Sequence, residues 1–78
     1  MKDKYSKKLV SIIKQLRTER GLTQEQMALE IDISTSYLGM IERGERNISL
    51  KNIQEIAKFF KKKPSELLSI VEKELDTE

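Results

Sequence analysis

The stretch QEQMALEIDISTSYLGMI, residues 24–41, decides the fold. Met27, Ala28 and Ile31 recur at the three- and four-residue spacings of a buried helical stripe, and so, further on, do Tyr37, Leu38 and Ile41. Thr23 before the first stripe and Ser34 before the second offer hydroxyls to the unpaired amides of a helix start. Two short helices joined so tightly need apolar anchors on both and a small residue where they cross. Met27, Ile31, Ile33, Leu38 and Ile41 are the anchors, and Ala28 is the small residue. The second helix leaves Thr35, Ser36, Gly39, Met40 and Arg43 on its outside, all of them small, polar or flexible.

Reading outward, Leu9, Ile12, Ile13 and Leu16 mark an earlier helix, with Ser6 as a candidate cap and Gly21 as a stop. Gly44 ends the third helix, because glycine takes the left-handed backbone of a helix terminus at little cost. Ser49 caps a fourth helix whose inner face is Ile53, Ile56, Ala57 and Phe60, and which runs into Lys61, Lys62 and Lys63 beside the negative end of its dipole. Pro64 suits the first turn of a fifth helix, and Glu66 suits its positive end. Leu67, Leu68, Ile70, Val71 and Leu75 then supply more apolar surface than one face needs. No segment alternates like a strand, and no repeat or low-complexity linker interrupts the chain. The expected fold is all-α: a compact five-helix domain spanning residues 1–78, with the fifth helix at about 64–75.

Composition narrows the function. A 78-residue chain buries only about 60% of its unfolded surface, so a partner would help it. There is no cysteine and no histidine, which removes disulfides, thiol nucleophiles, imidazole bases and nearly every transition-metal site. No carboxylate, lysine, serine or tyrosine stands at a spacing that reads as nucleophile plus base, and the three glycines form no phosphate loop. An enzyme is therefore not expected, nor any cofactor, metal or small-molecule ligand. From Met1-Lys2-Asp3-Lys4 onward no apolar run is long enough for a signal peptide or a membrane span, so the expected compartment is the cytoplasm.

Net charge is only +2, but it is unevenly placed. Residues 1–20 hold seven Lys/Arg against two acids and residues 35–63 hold seven against three, whereas 21–34 and 64–78 are net acidic. Such a chain can turn a cationic face to phosphate, although an ordinary solvated helix surface gives the same count. The small, polar outer face of the third helix adds what a helix lying in a DNA major groove needs.

The run Arg20-Gly21-Leu22-Thr23-Gln24, Ala28, and the run Tyr37-Leu38-Gly39-Met40-Ile41-Glu42-Arg43-Gly44 resemble the lambda-repressor/Cro-like helix-turn-helix regulators over roughly residues 8–70. The continuation Glu45-Arg46-Asn47-Ile48-Ser49-Leu50 and the short chain are similar to the controller proteins of restriction-modification systems. One departure is Asp32, where that family usually has glycine; aspartate tolerates a left-handed backbone less well than glycine but better than most residues.

The resemblance implies that Gln24, at the start of the second helix, touches a DNA phosphate, a role suited to an amide side chain at a helix N-terminus. It places Thr35, Ser36 and Tyr37 at the base-reading end of the third helix, where hydroxyls can bond base edges. Tyr37 can equally be a half-buried spacer, its ring on the fourth helix. Arg46 matches a DNA-contact position of the controller proteins and is expected to read bases. Arg43 either clamps phosphate or pairs with Glu42 or Glu45. Asn47, Ser49 and Lys51 are expected on the DNA backbone. Glu42 is expected to be structural, orienting an arginine. Glu25 matches the acidic position through which activators of this family touch the sigma subunit of RNA polymerase; a second acidic position of that patch is Leu29 here.

Five or six small side chains make a weak address, so a homodimer on a two-fold operator is expected, its recognition helices about 34–36 Å apart. Phe59 and Phe60 are adjacent and cannot both face the core, and the fifth helix carries two apolar stripes. Phe59, Leu68, Val71 and Leu75 are the expected dimer interface. The expected function is a controller protein that activates at low occupancy and represses itself at higher occupancy, bound at the nucleoid. Rival readings are a phage-type or chromosomal repressor, and an antitoxin-like protein-interaction module supported by the apolar excess near the C-terminus.

Overall fold

The first four helices each start where a side chain accepts from a free amide, and they end in one common way. The computed structural model describes residues 3–78; Met1 and Lys2, the start of the domain span read from the sequence, lie outside the described residues. The helices are α1 (Lys4–Glu19), α2 (Gln24–Glu30), α3 (Thr35–Glu42), α4 (Leu50–Phe59) and α5 (Pro64–Asp76), with no strand among the described residues. The all-α expectation holds.

Thr23, Ser34 and Ser49 cap α2, α3 and α4 as expected, accepting from the amides of Gln26, Tyr37 and Asn52 at 3.0–3.1 Å. Gln26 returns the bond of Thr23, its Oε1 accepting from the Thr23 amide at 2.8 Å. For α1 the cap is Asp3 and not Ser6: the Asp3 carboxylate accepts from the Ser6 amide at 2.7 Å. A carboxylate three residues ahead of that amide is the stronger acceptor at the positive end of the helix dipole. In α5 Pro64 occupies the first turn, and Glu66 accepts from the Lys63 amide at 2.6 Å.

At their C-termini α1 to α4 close with paired backbone bonds across a left-handed residue. In α3, Glu45 N–H donates to the Met40 carbonyl at 2.8 Å across Gly44 (φ 75°). In α2, Ile33 N–H donates to the Ala28 carbonyl at 3.0 Å across Asp32, whose φ of 59° is the left-handed turn expected at that departure from glycine. The same closure ends α4 across Lys61 (φ 58°), a position the sequence did not single out.

The core takes Leu9, Ile12 and Ile13 from α1, Met27 and Ala28 from α2, Leu38 from α3, Ile56, Ala57 and Phe60 from the α4 segment, and Leu67 and Val71 from α5. Burying one large aliphatic side chain contributes about 1.5–3 kcal/mol, a sizeable share of the stability of so small a domain. Helix α5 lies against α1 and α4, while α2 and α3 pack on each other and α3 reaches back to α1. The result sets the outer face of α3 and the α3–α4 turn on the surface, carried by a packed base.

Candidate nucleic-acid interface

Beneath the outer face of α3 lies a buried ion pair. Arg17 of α1 donates through Nε to Glu42 Oε2 at 2.7 Å and through Nη2 to Glu42 Oε1 at 3.0 Å, a two-pronged fit of guanidinium to carboxylate. Its third nitrogen, Nη1, donates to the Leu22 carbonyl at 2.6 Å, at the entry to α2. The Glu42 side chain is only 2% exposed and that of Arg17 10%. Glu42 Oε1 also accepts from Gln24 Nε2 at 2.9 Å. One carboxylate at the end of α3 therefore fixes α1, α2 and α3 together and aims Gln24. Glu42 was read as an orienting acid; its partner Arg17 was not singled out, because an arginine among the lysines of a basic helix looks like solvated surface until its face is known.

Gln24, Thr35, Ser36, Gly39, Met40, Arg43 and Glu45 line one shallow depression across α2 and α3. Thr35 and Ser36 are exposed in the first turn of α3. Gly39, expected on the outside, is instead covered: Arg43 Nη1 is 3.0 Å and Gln24 Oε1 3.6 Å from where its Cβ would be. The lack of a side chain there leaves room for both groups over α3. One amide hydrogen of Gln24 goes to Glu42, which leaves the other available to a phosphate.

Arg43 holds Glu45, not Glu42, through two bonds of 3.0 and 3.1 Å between exposed side chains. The hydrogen bond from Arg43 holds the Glu45 carboxyl below the usual carboxylate range, and reciprocally the Arg43 guanidinium is pushed above its ordinary value. Of the two expected states of Arg43, the structure has the ion pair.

Tyr37 is half-buried, and its hydroxyl accepts from Asn52 Nδ2 of α4 at 3.0 Å. This is the spacer arrangement, ring against the domain and hydroxyl tied to α4. Arg46 stacks on that ring, its guanidinium carbon 5.5 Å from the centroid, so an exposed arginine is held in place by an aromatic face. Asn47 lies beside it in the α3–α4 turn, Ser49 is committed as the α4 cap, and Lys51 is exposed on the first turn of α4. The structure thus gathers Gln24, Thr35, Ser36 and Arg43 about one depression, with Arg46 and Asn47 on an adjoining furrow. Glu25 is exposed in the first turn of α2, and Leu29, one turn on, is 81% exposed.

A family model described as helix-turn-helix matches residues 13–67, which includes both helices of the depression and the turn between them. The chain belongs to the helix-turn-helix family. Among curated relatives of this helix-turn-helix protein is the control protein C.MunI of Mycoplasma sp, 43% identical over 63 residues, which cover 80% of this chain and 85% of that one. Among solved structures, the restriction-modification controller protein C.AhdI from Aeromonas hydrophila superposes with a TM-score of 0.73 at 40% identity, covering 80% of this chain and 94% of that one. The controller C.Esp1396I, bound to a 25 base pair operator site, superposes with a TM-score of 0.83 at 28% identity, covering 95% of this chain and 97% of that one.

The expected dimer stripe needs correction. Val71 has no exposed surface and sits with Leu67 in the chain's own core, so it cannot touch a partner. Four residues separate the two, one helical turn, and that places them on the line facing α1 and α4. Phe59, Leu68 and Leu75 are half-buried at the margins of that core, and Phe59 meets Phe60 edge to face at 5.0 Å. No helix of the described residues is long and apolar enough to cross a membrane.

Proposed function

We propose that this helix-turn-helix protein is a one-domain transcriptional regulator of the restriction-modification controller type, which binds operator DNA as a homodimer. The observation that carries the reading is the buried Arg17–Glu42–Gln24 group, which presents Gln24 beside the exposed Thr35 and Ser36 on one rigid base. In this role Thr35, Ser36 and Arg46 meet base edges, with Tyr37 supporting Arg46. Gln24, Asn47, Ser49 and Lys51 meet the sugar-phosphate backbone, and Arg43 joins them by exchanging Glu45 for phosphate. The dimer forms through Phe59, Leu68 and Leu75, and Leu68→Glu then leaves a monomer in sedimentation. The protein acts at the nucleoid of a cytoplasm, and the exposed Glu25 is a contact for the polymerase sigma subunit. Glu25→Lys then abolishes activation in a reporter while operator affinity stays.

The test is selection from a library of randomised duplexes. Two inverted half-sites whose centres lie about 34–36 Å apart support a two-fold reader. A pool that enriches no motif, together with a tight heterologous complex on pull-down, would favour the protein-interaction reading instead.

A further inference from the structure

Helix α1 carries lysines at 4, 7, 8 and 14, and the fold sorts them onto two faces. Lys8 lies 2.8 Å from Glu78 and 3.9 Å from Glu74, and Lys4 lies 3.6 Å from Glu78, so α5 and the residues after it neutralise one face. Lys7 and Lys14 stand seven residues apart, nearly two turns, and therefore lie on one line along the helix, with Ser11 beside it. All three are exposed, and among the described residues no carboxylate lies within ion-pair distance of either lysine.

That line looks onto the α3–α4 turn. Lys7, Ser11 and Lys14 form one wall of a furrow whose other wall is the end of α3 with Arg43 and Gly44. Lys7 also borders the neighbouring furrow that holds Arg46. Two acids line these furrows: Glu42, whose charge is met by Arg17, and Asp3, an exposed carboxylate that accepts from the Ser6 amide and forms no ion pair with Lys7. Two lysines that make no ion pair among the described residues, next to the candidate base-reading arginine, suit a polyanion.

Resting on the DNA-binding reading above, we propose that Lys7 and Lys14, with the Ser11 hydroxyl beside them, are phosphate contacts that extend the interface from the helix-turn-helix onto α1. The two lysines stand about 10 Å apart along the helix axis. One DNA strand carries a charge every ~3.4 Å of duplex axis, so the pair spans several phosphates. Phosphates are alike in every sequence, so these contacts add affinity without choosing bases.

The experiment is fluorescence anisotropy of the full chain on a selected duplex and on a scrambled one across a salt series, for wild type, Lys7→Gln/Lys14→Gln, and Lys4→Gln/Lys8→Gln. The last removes the same formal charge from the face paired with α5. The first double variant is expected to melt like wild type and to lower the slope of log affinity against log salt by about 1.8 on both duplexes, at about 0.9 per lost contact. The second is expected to leave the slope close to wild type. An unchanged slope in the first variant, or an equal fall in both variants, would overturn the α1 contacts while leaving the helix-turn-helix reading intact. A wild type that binds neither duplex would overturn both.

Discussion

Replacing Arg17 by methionine keeps most of the side-chain stem and removes the guanidinium from a site where only a tenth of the side chain is exposed. Glu42, 2% exposed, then keeps a single side-chain donor, Gln24 at 2.9 Å, and the Leu22 carbonyl loses its donor from Arg17. Breaking a buried pair by removing one member costs about 3–5 kcal/mol, since the remaining charge is neither paired nor hydrated. A chain of 78 residues has a total stability of about 4–12 kcal/mol. At about 4–8 °C for each kcal/mol, the melting midpoint of Arg17→Met should fall by roughly 12–40 °C in a circular-dichroism melt at neutral pH. Arg17→Met/Glu42→Leu removes the stranded charge and should recover most of that loss. Its DNA affinity should nevertheless stay low, because Gln24 has lost the carboxylate that holds it. A single variant melting within about 4 °C of wild type would show that Arg17 is not needed to hold the buried Glu42, since that is a loss of no more than ~1 kcal/mol. A double variant no better than the single would show that packing, not charge, is what the pair supplies.

Other outcomes follow from single features. Lys61→Gly removes a left-handed lysine from the end of α4 and should raise stability by about 1 kcal/mol, a gain of about 4–8 °C on melting. Glu45→Gln frees Arg43 and removes a negative charge beside the α2–α3 depression; DNA affinity should rise about two- to fivefold at low salt, and less as salt is added. The hydrogen bond from Lys8 holds the Glu78 carboxyl below its ordinary range, and the same bond raises the Lys8 ammonium. The carboxylate's contribution is thus present above the unfolded value of about 4.3 and lost as pH falls through the lower folded one. The ammonium's contribution is present below about 10.4 and lost as pH rises through the higher folded value. Glu78→Gln should therefore flatten melting midpoint against pH at both ends.

How far the sequence could be read follows from the range of each interaction. The caps Thr23, Ser34 and Ser49 act on amides three residues away, so they were visible in the string itself. So were the apolar stripes, whose spacing is a property of one helix. Asp32 was legible as a left-handed residue because it replaces a familiar glycine; Lys61 was not, because nothing in a run of three lysines says which one turns the chain. Arg17 was missed because its partner is 25 positions away on a different helix. Val71 was assigned to a partner surface because the string shows two stripes on α5 without saying which neighbour each meets; the packing of α1 and α4 decides that.

The proposed function requires the α2–α3 surface to read a DNA sequence. The most direct measurement is an anisotropy titration of the purified protein, at physiological salt, against the duplex immediately upstream of its own gene and against the same bases scrambled. Affinity for the first should exceed that for the second at least about a thousandfold, with two chains on each duplex. Equal, weak binding to both would contradict it, leaving only the unspecific attraction of cations for phosphate.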